Sequence, residues 1–246
     1  MTQGGRALPS ADHIVGDNEF GRYCVPASSR HRPAARAILE GRVWEPDTIA
    51  FMVANCGASD IVHAGTYFGD FLPALSRALA PGARLWAFEP SSENFACATE
   101  TIALNGLTNV ALTHAGLGAR AGSLPLRIGD PGRPARGGSS RVDVSRTPGS
   151  TYEDVSIVTL DESVPADRTV SIVQLDVEYF EQQALAGGLG LIRRCLPIII
   201  LENLPADETW FAENILALGY RASDKVHRNT VFRSEPALGG IPAHEL

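Results

Sequence analysis

The chain has a deficit of positive charge, no long apolar run and no closely spaced cysteines. Its 21 Lys and Arg residues stand against 28 Asp and Glu residues, for a formal net charge of −7. Because nucleic-acid binding depends on Lys and Arg that neutralise phosphates, we expect no nucleic-acid partner. No stretch reaches the roughly 18 to 20 apolar residues of a membrane span, and the printed start lacks an apolar signal core. We therefore expect a cytoplasmic protein.

The four cysteines are Cys24, Cys56, Cys97 and Cys195, and none forms a CxxC pair. This spacing indicates neither a zinc site nor a disulfide framework, so we expect free thiols and no metal built on cysteine.

Short apolar strands alternate with helices from residue 60 onward, as in "DIVHA", "ARLWAFEP", "TVSIVQLDVE" and "LPIIILEN". This alternation predicts a parallel sheet with crossover helices, in a domain that covers residues 58–246. Residues 1–57 read as an extension, either loose or draped over the body up to about Ser28, followed by two helices that form an N-terminal helical cap. Residues 129–150 are rich in Gly, Pro, Ser and Arg, which predicts a flexible loop that is either a substrate-facing lid or simply disordered.

Polar residues gather at the predicted strand ends, where open α/β sheets bind their ligands. The first strand runs into a turn with Gly65 and Gly69, and the second ends at Glu89. Glycines allow a tight turn and a close approach of a ligand to the backbone, but the spacing is not GxGxxG, so NAD is disfavoured. A carboxylate about 20 residues after such a turn can accept hydrogen bonds from both ribose hydroxyls of a nucleoside.

Several blocks in the same order resemble the FkbM family of S-adenosylmethionine (SAM)-dependent methyltransferases. They are "DIVHAGTYFGDF", "LWAFEPSSENFACATETIALNGLTNVALTHAGLG", "IVTLDESV", "VQLDVEYFEQQALAGG" and "LPIIILEN", spanning residues 60–203. The resemblance implies a class I methyltransferase fold: a Rossmann-like, seven-stranded, mostly parallel sheet with helices on both faces and an antiparallel last strand. It also implies SAM as the cofactor and, as in many members, O-methylation of sugars or secondary metabolites.

The resemblance places the cofactor over the first turn, with the adenine beside Gly116 and Leu117. The residues that we expect to bind it are His63, Gly65, Thr66, Tyr67, Gly69, Asp70, Glu89, Pro90, Gly116, Leu117 and Asp176.

Five positions depart from the family pattern. The family usually has Asp at the position of His63, and a small residue and Asn at Thr66 and Tyr67. It has Lys where this chain has Gln174, and Gly where it has Tyr179. We expect Asp70 or a backbone contact to replace the missing acid as partner of the cofactor's ammonium group, and the changes at Gln174 and Tyr179 to alter the substrate pocket.

Methyl transfer to a hydroxyl needs alignment of the reacting atoms and a general base. The candidate bases are Asp176, Glu178, Glu202 and His227. Asp176 and Glu178 are two residues apart, so on an extended strand end they point to the same side, where mutual repulsion raises one pKa. The same oxygens with Glu202 suit a divalent metal, which we do not predict; alternatively, Glu178 caps the following helix.

Candidate substrate contacts are Arg30, His31, Arg32, Tyr179 and Asn203, and the arginines suit an anionic sugar or a carrier phosphate. We expect the acceptor to be a small molecule or a glycan. Apolar helices in the N-terminal cap could pair between two copies of the chain, so a homo-oligomer stays an open alternative. We favour an O-methyltransferase of glycans or glycosylated metabolites. Two alternatives are a degenerate methyltransferase fold that acts as a binding or scaffold module, with His63 and Tyr67 closing the pocket, and a NAD-dependent enzyme.

Overall fold

A computed structural model of the chain describes residues 12–234; residues 1–11, where the predicted extension begins, and 235–246 lie outside the described range. The strands within it are β1 (His13–Asn18), β2 (Gly21–Pro26), β3 (Asp60–Ala64), β4 (Leu85–Phe88), β5 (Val110–Thr113), β6 (Gly116–Leu117), β7 (Gly122–Gly129), β8 (Arg141–Val142), β9 (Thr151–Val158), β10 (Val170–Leu175), β11 (Ile198–Leu201), β12 (Tyr220–Val226) and β13 (Asn229–Ser234). The helices are α1 (Pro33–Leu39), α2 (Pro46–Asn55), α3 (Leu72–Ala78), α4 (Ser92–Asn105), α5 (Leu160–Ser163), α6 (Glu181–Ala186), α7 (Leu189–Cys195) and α8 (Glu208–Asn214).

The main sheet has seven strands in the order β12, β13, β11, β10, β3, β4, β5. Neighbours from β11 to β5 are parallel, whereas β13 is antiparallel to both β11 and β12, so the sheet is mixed. This agrees with the expected mostly parallel sheet with an antiparallel last strand. Ile61, Ile172 and Ile200 pack on one face with α2 and α3, while Val62, Val173 and Ile199 pack on the other with α6 and α7. Helices therefore cover both faces.

The N-terminal region packs on the body of the protein, which is one of the two expected alternatives, but it contains a hairpin that we did not expect. α1 and α2 are present, but β1 and β2 form an antiparallel hairpin ahead of them. Tyr23, Cys24 and Val25 of β2 are buried, and the Cys24 N–H donates to Thr101 Oγ1 of α4 at 3.0 Å. The apolar segment of β2 forms a buried strand because α4 covers it. The two segments lie about 75 residues apart in the chain, so no local pattern indicates this packing.

Two further segments differ from their predictions. The single helix that we expected from Phe180 to about Arg194 is split into α6 and α7 at Gly187 and Gly188. A Cβ on Gly187 would lie 2.0 Å from the carbonyl oxygen of Gly118, so the break lets the backbone pass close to the β6 strand. Residues 129–150, which we expected to form a flexible loop, contain a 3-10 turn (Gly137–Ser139) and β8, which pairs with β7 beside β9 in a second sheet.

The parallel register brings the strand ends together at one edge of the main sheet. Ala64, Phe88 and Leu175 end their strands at neighbouring positions, and the N–H of Asp176 donates to the Ala64 carbonyl at 3.0 Å. No helix among residues 12–234 is both long enough and apolar enough to cross a membrane.

Candidate functional site

Two cavities open at this edge, and the first lies over the ends of β3 and β4. It encloses about 550 Å³ of empty space. Its walls carry apolar side chains, with one buried acid, Glu89, at the end of β4. The residues that line it include Gly65, Tyr67, Phe88, Glu89, Pro90, Gly116, Leu117, Ile157, Asp176, Val177 and Phe180. An apolar cleft with a few polar groups is the usual form of a small-molecule site.

Glu89 is held by three donors. Its Oε2 accepts the Tyr67 N–H at 2.8 Å, and its Oε1 accepts the Ser91 N–H at 2.9 Å and the Asn94 amide at 3.3 Å. Burial raises the pKa of Glu89 to about 7, against the lowering effect of these hydrogen bonds. Since a carboxylate offers about four lone-pair positions, one remains for a ligand hydroxyl. In this arrangement Glu89 can therefore accept one hydrogen bond from a ribose, where we expected two.

The two glycines of the first turn serve the protein's own packing. Gly65 has φ +82°, and a Cβ there would lie 1.7 Å from the carbonyl oxygen of Asp176. Gly69 has φ +85°, and its Cβ would press against side chains of Leu72 and Thr101. The missing Cβ atoms make room for the residue after β10 at Gly65 and for the Leu72 side chain of α3 at Gly69, whereas we expected them to admit a ligand to the backbone. Gly65 still lines both cavities.

Tyr67 joins the turn to the N-terminal region and to the segment 129–150. It lies at φ +55°, its hydroxyl bonds Ser29 Oγ at 2.6 Å, and its ring packs against Phe68. A Cβ on Gly138 would lie 3.2 Å from the Tyr67 ring, and one on Gly137 would lie 2.6 Å from Ser29. The 3-10 turn therefore docks closely on Tyr67, and the segment after it, through Val142, forms a wall of the first cavity.

The second cavity, of about 860 Å³ of empty space, is lined mainly by polar and charged side chains. Five acids line it: Glu45, Asp70, Asp176, Glu178 and Glu202. Its cationic lining residues are Arg32 and Arg228, and neither makes an ion pair or side-chain hydrogen bond within the described residues. The cavity thus has an excess of carboxylates that a cationic ligand would offset.

Asp176, Glu178 and Glu202 come together as predicted: each offers an oxygen within 4.8 Å of the others. Burial and the neighbouring Glu202 raise the pKa of Asp176 well above its ordinary value, and burial, followed by Glu202, raises the pKa of Glu178 to about 7. At neutral pH such a cluster holds protons that it can exchange, which suits a general base.

The backbone that presents Glu178 is not the extended strand end that we expected. β10 ends at Leu175, and Glu178 and Tyr179 both have left-handed backbone, at φ +51° and +72°. The N-cap residue of α6 is Phe180, which receives no side-chain cap, so Glu178 does not cap that helix. Two successive non-glycine residues at positive φ store strain, which clusters at functional sites.

His63 is buried at 3% exposure and packs flat on Phe71, with ring centroids 5.1 Å apart and planes 3° apart. Its Nδ1 pairs with Oε1 of Gln174 on the adjacent strand, while Nε2 has no partner among the described residues. Burial lowers the pKa of His63 to about 4, so the ring is neutral at physiological pH.

Asp70 also lines the second cavity and is 8% exposed. Burial, and then the charge of Glu45, raises the pKa of Asp70 to about 7.

The remaining predicted residues are more scattered. His227, in the β12–β13 turn, lies with Nε2 3.6 Å from Glu45 Oε1 and does not line either cavity. Asn203 lies 3.3 Å from Glu202 and 3.4 Å from Glu181. Tyr179 is 71% exposed, and Thr66 is buried, with its hydroxyl donating to the His63 carbonyl.

His31 and Arg32 line a third, shallower cleft together with Arg133, Arg136 and Asp130. Arg136 bonds Asp130 at 2.8 Å, whereas neither Arg32 nor Arg133 has a side-chain partner within residues 12–234. Arg32 lines the second cavity as well, so the two spaces adjoin. Arg30 lines neither.

Among the lining residues of the second cavity that sequence reasoning missed are Trp44, Glu45 and Arg228. Glu45 is 9% exposed with φ +46°, and it accepts hydrogen bonds from Thr48 and Asn229. Trp44 and Glu45 precede Pro46 at the start of α2, a position that reads as an ordinary helix start, so no local signal marks them.

The family described as Methyltransferase FkbM domain matches residues 55–222 of this chain. No curated protein matches the chain. Among solved structures, a methyltransferase FkbM from Methylobacillus flagellatus is 15% identical with a TM-score of 0.50, over 72% of this chain and 43% of that protein. This chain therefore covers less than half the length of that protein. At this identity the likeness shows a shared fold.

This chain matches a larger share of two other solved structures, but at lower similarity. A SAM-dependent methyltransferase from Aquifex aeolicus is 13% identical with a TM-score of 0.43, over 82% of this chain and 92% of that protein. A methyltransferase from Geobacter sulfurreducens is 12% identical with a TM-score of 0.44, over 92% and 91%.

Proposed function

Because this chain belongs to the FkbM methyltransferase domain family, we propose that it transfers a methyl group from SAM to a hydroxyl of a sugar, a glycan or a glycosylated metabolite. The observation that carries the proposal is Glu89: a buried acid at the end of β4, in an apolar-walled cavity, with a lone pair left for a ribose hydroxyl. Pro90, Gly116 and Leu117 form the neighbouring wall, where the adenine would lie.

SAM supplies the methyl group on its sulfonium. The residues of this chain have three tasks: they seat the nucleoside in the first cavity, orient the acceptor in the second, and take up the hydroxyl proton. Asp176 lines both cavities, so it stands where the two ligands would meet. Together with Glu178 and Glu202 it forms the base that we propose, since the pKa of Glu178, raised to about 7, suits proton exchange near neutral pH.

The acceptor would enter from the side of Arg32 and the third cleft. In a chain of net charge −7, unpaired Arg32 and Arg133 form a local positive region next to the acid-lined cavity. Guanidinium groups bind phosphate and carboxylate well, so we propose an acceptor with an anionic group. His31 and the exposed Tyr179 extend this surface. None of the three spaces is lined by Arg30, Asn203 or His227, and we propose supporting roles for these residues.

We propose that residues 29–45 take part in the site rather than standing apart from it. Arg32, Pro33, Trp44 and Glu45 line the second cavity, and Ser29 holds Tyr67. We propose that residues 58–246 form the methyltransferase domain and that the preceding segment closes its acceptor side.

Calorimetric titration with S-adenosylhomocysteine, the product form of the cofactor, tests the proposal. We expect binding by the unchanged protein and a loss of at least about tenfold in Glu89→Gln, because one hydrogen bond to a buried carboxylate is lost. Glu100→Gln, an exposed residue of α4, is the matched control and should bind normally. Absence of binding at millimolar ligand would reject the function and favour a scaffold module.

A further inference from the structure

The third cleft has a charge opposite to that of the protein as a whole. Three arginines and one histidine line it against a single acid, in a chain with a net charge of −7. The cleft encloses about 680 Å³ of empty space, and its walls come from the segment that precedes α1 and the segment that precedes β8. The basic side chains are His31, Arg32, Arg133 and Arg136, and the acid is Asp130.

Asp130 does not cancel this positive charge, because two arginines already pair with it. Its Oδ1 lies 2.5 Å from Arg127 Nη2, and its Oδ2 accepts from Arg136 Nη1 at 2.8 Å. Arg127 in turn lies 3.7 Å from Asp143, so these four side chains are neutral overall. The Nε–H of Arg136 also donates to the Ser139 carbonyl at 2.8 Å. Arg136 is thus fixed from two sides at one wall of the cleft.

The other two arginines have no such partner. The side chains of Arg32 and Arg133 make no ion pair or side-chain hydrogen bond within residues 12–234. A guanidinium group can only donate, and its planar fork matches two oxygens of a phosphate or a carboxylate. An anion between these two arginines would offset charges that no described side chain offsets.

The cleft lies close to the acid cluster of the second cavity. Arg32 lines both spaces. Burial, and then the charge of Glu202, raises the pKa of Glu178, and the charges of Arg136 and Arg32 oppose that rise. These two guanidinium groups therefore lie within electrostatic reach of a carboxylate of the proposed base. The two spaces suit one ligand whose anionic group is close to the hydroxyl that loses its proton.

The charge of the cleft favours a phosphate over a carboxylate. Arg32 and Arg133 supply two positive charges, and a phosphate monoester carries about −1.5 to −2 at pH 7, with three terminal oxygens as acceptors. A carboxylate carries a single negative charge on two oxygens. The exposed imidazole of His31 lies in the same cleft. A phosphate ester therefore offsets the charge of the cleft more fully than a carboxylate does.

We propose that the third cleft binds the phosphate group of a phosphorylated sugar, whose ring lies in the second cavity with a hydroxyl at the acid cluster. The inference rests on the proposed function, and it narrows the acceptor from any anionic molecule to a sugar with a phosphate ester. Arg32 and Arg133 bind the phosphate, and Asp130 is a positioning residue that holds Arg136.

Calorimetric titration with glucose 1-phosphate, glucuronate and glucose tests the ligand class, since the three share a sugar ring and differ in the anionic group. We expect glucose 1-phosphate to bind about tenfold more tightly than glucuronate, and glucose to bind most weakly. Arg32→Gln and Arg133→Gln should each weaken glucose 1-phosphate about tenfold. Arg36→Gln, an exposed residue of α1 that lines none of the three spaces, is the matched control.

UDP-glucose in the same titration distinguishes two sources of the phosphate. Tighter binding of UDP-glucose than of glucose 1-phosphate assigns the cleft to a nucleotide-linked sugar, and the reverse order assigns it to a free sugar phosphate. Both orders support the inference.

Asp130→Asn distinguishes a built phosphate site from a merely charged surface. Removal of an acid makes the cleft more positive, so attraction by charge alone would strengthen glucose 1-phosphate binding. We expect about threefold weaker binding instead, because Arg136 loses a charged hydrogen bond that fixes it. Thermal unfolding confirms that the variants compared are folded.

Three results would overturn the inference: equal affinity for glucose 1-phosphate and glucuronate, unchanged binding in both Arg32→Gln and Arg133→Gln, or tighter binding in Asp130→Asn. Absence of binding by glucose 1-phosphate, UDP-glucose and inorganic phosphate at millimolar ligand would overturn it as well, and so would tighter binding of a short single-stranded oligonucleotide than of UDP-glucose.

Titration with S-adenosylhomocysteine separates this inference from the proposed function. Arg32, Arg133 and Asp130 do not line the first cavity, so their variants should bind S-adenosylhomocysteine as the unchanged protein does. If the unchanged protein bound glucose 1-phosphate but no S-adenosylhomocysteine, methyl transfer would be rejected and the phosphate site would remain.

Discussion

The two cavities share a wall but differ in how their acids are held. In the first, Glu89 is one acid among apolar side chains, and three N–H donors hold it. In the second, Asp176, Glu178 and Glu202 crowd within 4.8 Å of one another, and no backbone N–H donor to Glu178 is found among residues 12–234. Glu89 is held in place by three donors before any ligand arrives, whereas the acid cluster receives one side-chain donor, the Asn203 amide on Glu202, within residues 12–234.

Under the proposed function, this difference assigns recognition to the first cavity and reactivity to the second. A carboxylate that is fully supported keeps its position, which suits recognition of an invariant nucleoside. A crowded cluster with raised pKa values can gain and lose protons, which suits an acceptor hydroxyl that must lose one. Gly65, Tyr67, Gly138 and Asp176 line both spaces and form the wall between these two environments.

Among the substitutions that test this comparison, we expect the largest effect from Gly65→Ala, in the wall that the two cavities share. The new Cβ would lie 1.7 Å from the Asp176 carbonyl oxygen, at a φ of +82°. Because that atom belongs to a buried backbone, β3 and β10 would have to separate, and we expect about 3 kcal/mol or more of lost stability. Chemical denaturation measures this loss.

Gly82→Ala is the matched control, because its φ of +87° is nearly the same and its Cβ would meet nothing within 4 Å. It should lose only about 1 kcal/mol, the cost of the left-handed backbone. Equal losses in the two variants would show that the close approach of β3 and β10 contributes nothing.

The next largest expected effect is the change of stability with pH. The pKa values of Asp70, Glu89 and Glu178 are about 7 in the folded protein, above the roughly 4 of unfolded carboxyl groups. The folded state therefore binds more protons than the unfolded state between about pH 4 and pH 7, and stability falls as pH rises through that window. His63, with its pKa lowered to about 4, opposes this trend only below about pH 6.5.

We expect the unfolding midpoint to be several degrees lower at pH 8 than at pH 6, for a change of about 2 kcal/mol. Glu178→Gln should reduce this difference by removing one titrating group, whereas Glu100→Gln should leave it unchanged. A midpoint that rises from pH 6 to pH 8 would contradict the raised pKa values of both cavities.

The first cavity was more predictable from sequence than the second, for a physical reason. Gly65 and Glu89 follow apolar strands directly, and parallel strands bring their ends to one edge whatever the rest of the chain does. The mostly parallel sheet, the antiparallel last strand and the place of Glu89 at the end of β4 follow from such local patterns and from the family resemblance.

The second cavity is built from contacts that no local pattern marks. Glu45 and Arg228 come from a helix start and a hairpin turn, and Ser29 reaches Tyr67 across 38 positions of sequence. No local pattern marks the pairing of His63 with Gln174 either, because only the strand register places these two residues opposite each other.

The smallest effect that we predict concerns Tyr179, at the rim of the acid cluster. A φ of +72° costs free energy in a tyrosine. Because the side chain is 71% exposed, its packing offsets little of that cost. Tyr179→Gly should therefore stabilise the protein by about 0.5 to 1 kcal/mol, or about 1 to 4 °C in the unfolding midpoint.

Leu196→Gly supplies the comparison outside the site, since Leu196 lies at φ +45° with 45% exposure and ends α7. Both variants should gain stability, and S-adenosylhomocysteine should bind both as it binds the unchanged protein, because neither residue lines the first cavity. A tyrosine kept in a strained, solvent-facing conformation beside Glu178 has no stabilising role to explain it. If Tyr179→Gly instead lost stability while Leu196→Gly gained it, the ring would be packing against the protein, and its proposed contact with the acceptor would fail.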